Sequence, residues 1–514
     1  MSPREATFVA HALSLAALHG PGPWPRDGHP LPDEQPRKSG EFVIPSVVYD
    51  GISTHHFGTG SQPVAELTDR VIAHLDDPAA LLDLFSGLQA VRLADDLVRE
   101  LRSRPVPREK LHSAARFVTE NATRREVAKL GIVLLGTCGD ERDRELLQLL
   151  GTLDEFSLFA VVALMNTQPD AQRAVFQLAQ RLDGWGRIHA VERLKGCVDP
   201  DIRAWLLRSG FRNGVMNEYL AHIAATTGGL YEALLEDDVD DALLDGAADI
   251  LKALANGGPA QDMHDYDDAV PAMHRFAELL ARAEPTLVRL DAALTLEHLV
   301  SGGDFDWPDG EPTRLRSRYA SLVAQQRWRD LVTGELAPRA ELADPVRPEG
   351  HAERPPRVFE VALSCGGRLG MQVLPQALAR LRSDRHNAYV WQWTMRHADE
   401  VTVDQVVGLA EQLLPLEDLA SGPSESLGLG PDYEADMALE IIVWNLRDRP
   451  GIGGGLLLVA LANRVVRCRR ASLTILGAWP QEARPPRARD WVAAAAERET
   501  NPELRQDMLA FLAT

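Results

Sequence analysis

Cysteine is scarce in this chain: Cys138, Cys197, Cys365 and Cys468 are the four among 514 residues, and no two form a C-x-x-C pair. That spacing argues against a zinc ribbon, a dithiol redox motif and a disulfide framework. Long apolar runs are missing as well. Leu456 to Ala462, after three glycines, falls far short of the ~20 helical residues that cross a bilayer. Basic residues are in deficit, 54 Lys and Arg against 75 Asp and Glu, for a formal charge of −21. A general nucleic-acid binder or a protein lying on anionic lipid needs a broad positive face, so neither partner is expected. The G-x-x-x-x-G-K-[ST] phosphate loop, a flavin-type G-x-G-x-x-G after a strand and a cysteine in a haem-ligand loop are absent too. Long strand-like alternation is also absent.

The composition that remains, 45% hydrophobic and 25% charged, is that of a globular chain. At the N-terminus, Ser2 as N-cap, Pro3 at the first helical position and Gly20 past the end frame a short amphipathic helix. A signal peptide fits less well, because Glu5 stands in the place of a basic lead-in and His11 interrupts the apolar run. A soluble cytoplasmic protein with no membrane contact is therefore expected. Gly20 to Ser61 is rich in Pro and Gly, and Phe42 to Tyr49 reads as one short edge strand limited by Pro45. Beyond Pro63 the apolar residues recur at helical spacing, as at Leu81, Leu84, Phe85, Leu88 and Val91. The chain reads as all-α.

A longer period lies over the helical one. Three segments end in Gly-Thr-Cys-Gly-Asp140, Asn-Thr-Gln-Pro-Asp170 and Cys-Val-Asp-Pro-Asp201, and Thr227-Gly-Gly229 follows about one period later. Each block holds two helices, and the closing Asp can cap the first helix of the next. No such pair buries its apolar face alone, so neighbours must stack, which is the logic of an α-solenoid. In this architecture the chain resembles the HEAT-like and armadillo-like repeat proteins, most visibly over 107–229, with blocks shorter than the ~40 residues of standard units. The organisation expected is an N-terminal helix with an irregular segment (1–62), a helical-repeat half (63–336), a linker holding five prolines (337–357) and a second helical-repeat half (358–514).

The segment richest in chemistry is Asp183-Gly-Trp-Gly-Arg-Ile-His-Ala-Val-Glu-Arg193, followed by Asn217-Glu-Tyr219 and His222. Arg187, His189, Glu192 and Arg193 share two turns of one helix. Asn217, Glu218, Tyr219 and His222 are expected to share another, with Glu218 and His222 at i, i+4. On a common concave face they would offer guanidinium forks and an acid–base pair; alternatively they form a ladder between repeats. Asp183 to Leu194 also resembles a group of bacterial proteins that carry a limonene hydroxylase label. A second cluster, Asp50, His55 and His56, belongs to a Gly-rich loop that could line a pocket over the first helices.

Other patterns are weaker. His351-Ala-Glu353 and His397-Ala-Asp399 have an iron-triad spacing but stand in a linker and at a helix end. No histidine is followed by Glu, so the His-Glu dipeptides of the solenoid hydroxylase that modifies deoxyhypusine have no counterpart. The acidic run Glu236 to Asp241 lacks the order of a calcium loop and fits a solvated helix start. Arg464, Arg467, Arg469, Arg470, Arg484, Arg487 and Arg489 form a local basic cluster, better matched to an acidic protein or intramolecular partner than to nucleic acid. No catalytic residue, metal ligand or cofactor is assigned. The leading expectation is a non-enzymatic scaffold that binds a protein or peptide partner on its concave face. The alternative is an enzyme with a polar pocket between the N-terminal loop (His55, His56) and the inner helices.

Overall fold

The computed structural model of the chain describes residues 6–25, 29–35, 44–58, 60, 62–302, 305, 307–308, 310–337 and 358–513. They are all-helical: among the described residues the only β-pairing is an isolated bridge between Ser426 and Val465. No described helix is long and apolar enough to cross a membrane. The described residues gather into two compact units, the first ending at Trp328 and the second beginning at Arg329. The expected linker falls almost entirely outside the described residues.

In the first unit, consecutive helices pair as Arg108–Asn121 with Arg125–Cys138, then Arg144–Gly151 with Asp154–Thr167, then Ala171–Ala179 with Gly184–Glu192. The second helices of these pairs also pack in series: Arg125–Cys138 on Asp154–Thr167, and that helix on Gly184–Glu192. Arg125–Cys138 accordingly buries nearly every residue from Val127 to Cys138. A helix apolar on most sides is stable only between neighbours, so the pairs must stack.

The periodic aspartates do three different jobs. Asp140 accepts from the Arg142 N–H in a reciprocal capping box with Asp143. Asp170 precedes Ala171–Ala179 without capping it and instead receives Arg144 at 2.9 Å. Asp199, two residues before the expected Asp201, caps Pro200–Trp205. Beneath these differences runs one repeated contact: Arg116 to Asp143 (3.1 Å), Arg144 to Asp170, Arg173 to Asp199 and Arg208 to Asp240 (2.8 Å). Each joins the first helix of one block to the start of the next. Part-exposed pairs of this kind contribute below ~1 kcal/mol each, but their repetition fixes the stacking register.

The N-terminal helix is present as Phe8–His19, capped by the Thr7 hydroxyl, with Gly20 at positive φ after it; Ser2 and Pro3 lie outside the described residues. Phe8 meets Phe156 edge to face at 4.9 Å, which docks this helix against Asp154–Thr167. The expected strand is not formed. Ser46–Ile52 is helical, and Ser53–Phe57 continues it as a π-helical turn. Pro45 takes an extended conformation just before Ser46, and Phe42 and Val43 of the expected strand lie outside the described residues. The β-branched Val47 and Val48 follow the tertiary demand to carry Asp50 into the core.

The acidic run Glu236 to Asp241 is exposed at a helix start, as expected, and its end together with the following acids Asp245 and Asp249 also holds arginines. Asp241 and Asp245 hold Arg289, which is almost fully buried, at 2.7 and 2.6 Å, and Asp249 pairs with Arg212 at 2.8 Å. In the second unit the arginine cluster meets acids of its own chain: Arg464 meets Asp436 (2.8 Å), Arg467 meets Glu440 (3.4 Å) and Arg470 meets Asp507 (3.2 Å). Arg469 and Glu499 form a buried two-point fork at 2.7 Å.

Asp143 is fully buried and serves His112, Arg116 and the Asp140 N–H together. Asp143→Ala is expected to cost about 3 kcal/mol by leaving those donors unmet, whereas Arg142→Ala, at an exposed pair, stays within about 0.5 kcal/mol. Urea denaturation followed by hydrogen exchange in Arg144–Gly151 distinguishes the two.

Candidate functional site

The π-helical turn determines where His55 and His56 stand. Gly51, just before it, lies so close against the Trp185 indole that a Cβ there would enter the ring. Gly186 likewise lets Gly184–Glu192 approach Ser157 of the neighbouring helix. The result is close seating of Ser46–Phe57 over the start of Gly184–Glu192.

Seating is enforced from below by charge. Lys129, whose side chain is 0% exposed, donates to Asp50 at 2.7 Å, Glu126 at 2.9 Å and Glu155 at 2.7 Å. The Ser46 hydroxyl donates to Glu155, and Arg125 ties Ser46 to Asp33. Burial raises the Asp50 carboxyl to about 6 in spite of Lys129, because Glu126 and Glu155 share the same ammonium. Burial alone would lower the Lys129 ammonium, but the three carboxylates overcome it and raise it.

Above this network five side chains from three separate segments converge. His55 Nδ1 is 3.6 Å from one Glu192 oxygen and His189 Nδ1 is 4.0 Å from the other. The two imidazoles stack at 5.5 Å with planes 17° apart. Trp185 backs them, 5.4 Å from His55 and 5.2 Å from Tyr219, and the Tyr219 hydroxyl is hydrogen-bonded to His56 Nε2 at 2.8 Å. One ring nitrogen of His55, one of His189 and a Glu192 oxygen lie within 4.8 Å of one another. His55 Nε2 is buried with no hydrogen-bond partner among the described residues.

Burial, with His55 and Arg193 adding to it, holds His189 down at about 3. His55 is lowered by burial, then by His56 and Arg193. Burial pushes Glu192 up to about 7 against the pull of Arg193. Burial and then Glu192 raise Tyr219. Near neutral pH the site thus presents two neutral imidazoles and a carboxyl ready to gain or lose a proton, the condition of general acid–base groups.

The other expected residues are elsewhere or otherwise engaged. Arg187 donates to the Leu182 carbonyl at 2.8 Å and lies over Trp205, bracing a helix end. Arg193 is exposed at the rim. Asn217 accepts from the Asn213 N–H. The expected Glu218–His222 pair is not formed, because Asn217–Tyr219 is a separate 3-10 turn and the helix restarts at Ala221. Glu218 accepts from Asn256, while His222 reaches the Asp265 carbonyl. His397 stacks on Trp393 at 4.0 Å and Asp399 caps Thr402, so that pattern is consumed by packing. His351 and Glu353 lie outside the described residues.

Two features escaped sequence reading. Trp185 stands in the stretch that holds His189 and Glu192, but no sequence pattern marks its ring as the wall that the histidines and Tyr219 meet. Lys129 had no signal except its lone charge in an apolar helix. A second grouping, His112 with Asp140 and Asp143, is saturated by the capping box, Arg116 and Arg142. A search of known protein families, curated proteins and solved structures finds no match to the chain.

Two outcomes follow from this geometry. Lys129→Ala would strand three buried carboxylates and is expected to cost ~3–5 kcal/mol, seen as faster hydrogen exchange in Ser46–Ile52. The pH response has opposed parts. His189, lowered from 6.5, contributes stability that is lost as pH falls below 6.5; Glu192, raised from 4.5, contributes stability that is lost as pH rises through 4.5 to about 7. Glu192→Gln removes the second effect. The variant should lose up to about 1.4 kcal/mol more than the parent for each pH unit between 6.5 and 5, measured by exchange in Gly184–Glu192.

Proposed function

We propose that this chain is a helical-repeat protein of HEAT/armadillo character whose first unit holds a pocket for a small polar ligand, organised like an enzyme site. One observation carries the reading: His189, Glu192 and Tyr219 meet His55 and His56, from a segment more than a hundred residues earlier in the chain, against Trp185 with their polar atoms turned to one another. A structural ladder between repeats has no need of this grouping, because the Arg–Asp contacts already perform that task. His189 and Glu192 also lie within 183–194, the stretch that resembles the proteins labelled limonene hydroxylase, so that resemblance and the pocket concern one helix.

A scaffold that docks a protein or peptide gains less from the geometry. Arg187, Asn217, Glu218 and His222, which were to supply its polar contacts, are taken up by neighbouring carbonyls and side chains. Native mass spectrometry of the full chain, isolated from its own source, tests the choice. The expected result is a stoichiometric low-mass adduct in the parent that is lost in a His56→Ala, Tyr219→Phe double variant. A stoichiometric protein partner retained by both forms would overturn the pocket reading in favour of the scaffold.

A further inference from the structure

We infer that His55, His189 and Glu192 form the three-donor site of a single divalent transition-metal ion, zinc or ferrous iron in class. The inference rests on the pocket reading and specifies what the pocket holds.

The donor set has the right chemistry. Two imidazoles and one carboxylate are the ligands that suit zinc, iron and their neighbours, and three protein donors leave a position open for water or substrate. A closed structural site takes four. The spacing is also right. Donor atoms on one such ion lie about 3–3.5 Å apart; here the His55–Glu192 and His189–Glu192 contacts are 3.6 and 4.0 Å, and all three donors fall within 4.8 Å. Small torsions of side chains in place would close the set. His189 and Glu192 stand one helical turn apart, and the π-helical turn delivers His55 from a segment far away in sequence.

Protein partners do not account for the arrangement. His55 Nδ1 and His189 Nδ1 stand 3.6 and 4.0 Å from Glu192, too far for hydrogen bonds, so no protein hydrogen bond explains why these donor atoms converge. The contrast with His112, Asp140 and Asp143 is direct. That grouping also unites histidine with carboxylates, but arginines and a capping box fill it, so it needs no ion. Beside the proposed site, the hydrogen-bonded Tyr219–His56 pair, with Tyr219 5.5 Å from His55, can hold and pass a proton for whatever occupies the open position.

The test uses the full chain stripped with chelator and titrated with Zn(II), with Co(II) as the spectroscopic probe. One equivalent should bind, and Co(II) should show ligand-field bands of a low-coordinate nitrogen and oxygen site. Glu192→Gln, which preserves shape, and His55→Ala, at the rim, should each weaken Zn(II) by at least about tenfold while circular dichroism confirms folding. His264→Ala, an exposed histidine away from the pocket, should leave affinity unchanged. Absence of one-to-one binding, or binding that survives both Glu192→Gln and His55→Ala, overturns the metal site. If a low-mass organic adduct nevertheless persists in native mass spectra, only the metal inference falls and the pocket reading stands.

Discussion

The buried ammonium of Lys129 is the interaction on which the candidate site depends. An unpaired charge in that position would be prohibitive, and a single carboxylate partner would roughly break even against the cost of taking both ions out of water. Three carboxylates surround it, supplied by Asp50, Glu126 and Glu155, with Arg125 balancing the excess negative charge beside Glu155 at 3.6 Å. Glu126 is on the same helix as Lys129, whereas Asp50 and Glu155 come from two others. The network therefore works as a three-way tie between Ser46–Ile52, Arg125–Cys138 and Asp154–Thr167. Hydrophobic contact alone is non-directional and could not set how the N-terminal segment is rotated over the repeats. The charge network can, and rotation decides whether His55 faces Glu192 or solvent.

Satisfaction of polar groups separates architecture from function in this molecule. Asp143, Arg289 and Arg469 are buried and charged, and each has directional partners within hydrogen-bond reach. They need nothing from outside. The His55–His189–Glu192 group differs in kind, since its contacts are longer than hydrogen bonds and one ring nitrogen is buried without a partner. Folded proteins rarely leave such groups without a reason, and neutral imidazoles facing a protonatable carboxyl are suited to receive a ligand.

Local patterns made the helices and the block period legible in the sequence. Apolar spacing of three and four residues marks Ala90–Arg102, which buries Ala90, Leu97 and Leu101 on one side, and the aspartates at block ends mark where new helices begin. Half of the site was legible for the same reason: His189 and Glu192 share a helix, so their proximity follows from a spacing of three. Joining those residues to His55 was only one of two expectations, because no local rule connects positions separated by more than 130 residues. The Glu218–His222 expectation failed where it assumed one continuous helix through Leu220. The strand expectation at Phe42–Tyr49 failed because β-branched propensity is weak beside a tertiary tie as strong as Asp50 to Lys129.

A π-helical turn is a costly way to end a helix, and its place here is informative. Such turns concentrate at functional sites because the wider ring shifts side chains from the faces an α-helix would give them. Had Ser46–Ile52 continued with α-geometry, His55 and His56 would lie about 100° apart around the axis at ordinary helical pitch. In the turn observed, His55 reaches the Glu192 side of the pocket while His56 reaches Tyr219. Gly58 at positive φ then releases the chain. The helix pairs stack without this segment, which packs across Asp154–Thr167 and Gly184–Glu192. The π-helical turn, the glycine pressed on Trp185 and the buried lysine beneath all favour one outcome: two adjacent histidines delivered to two different partners.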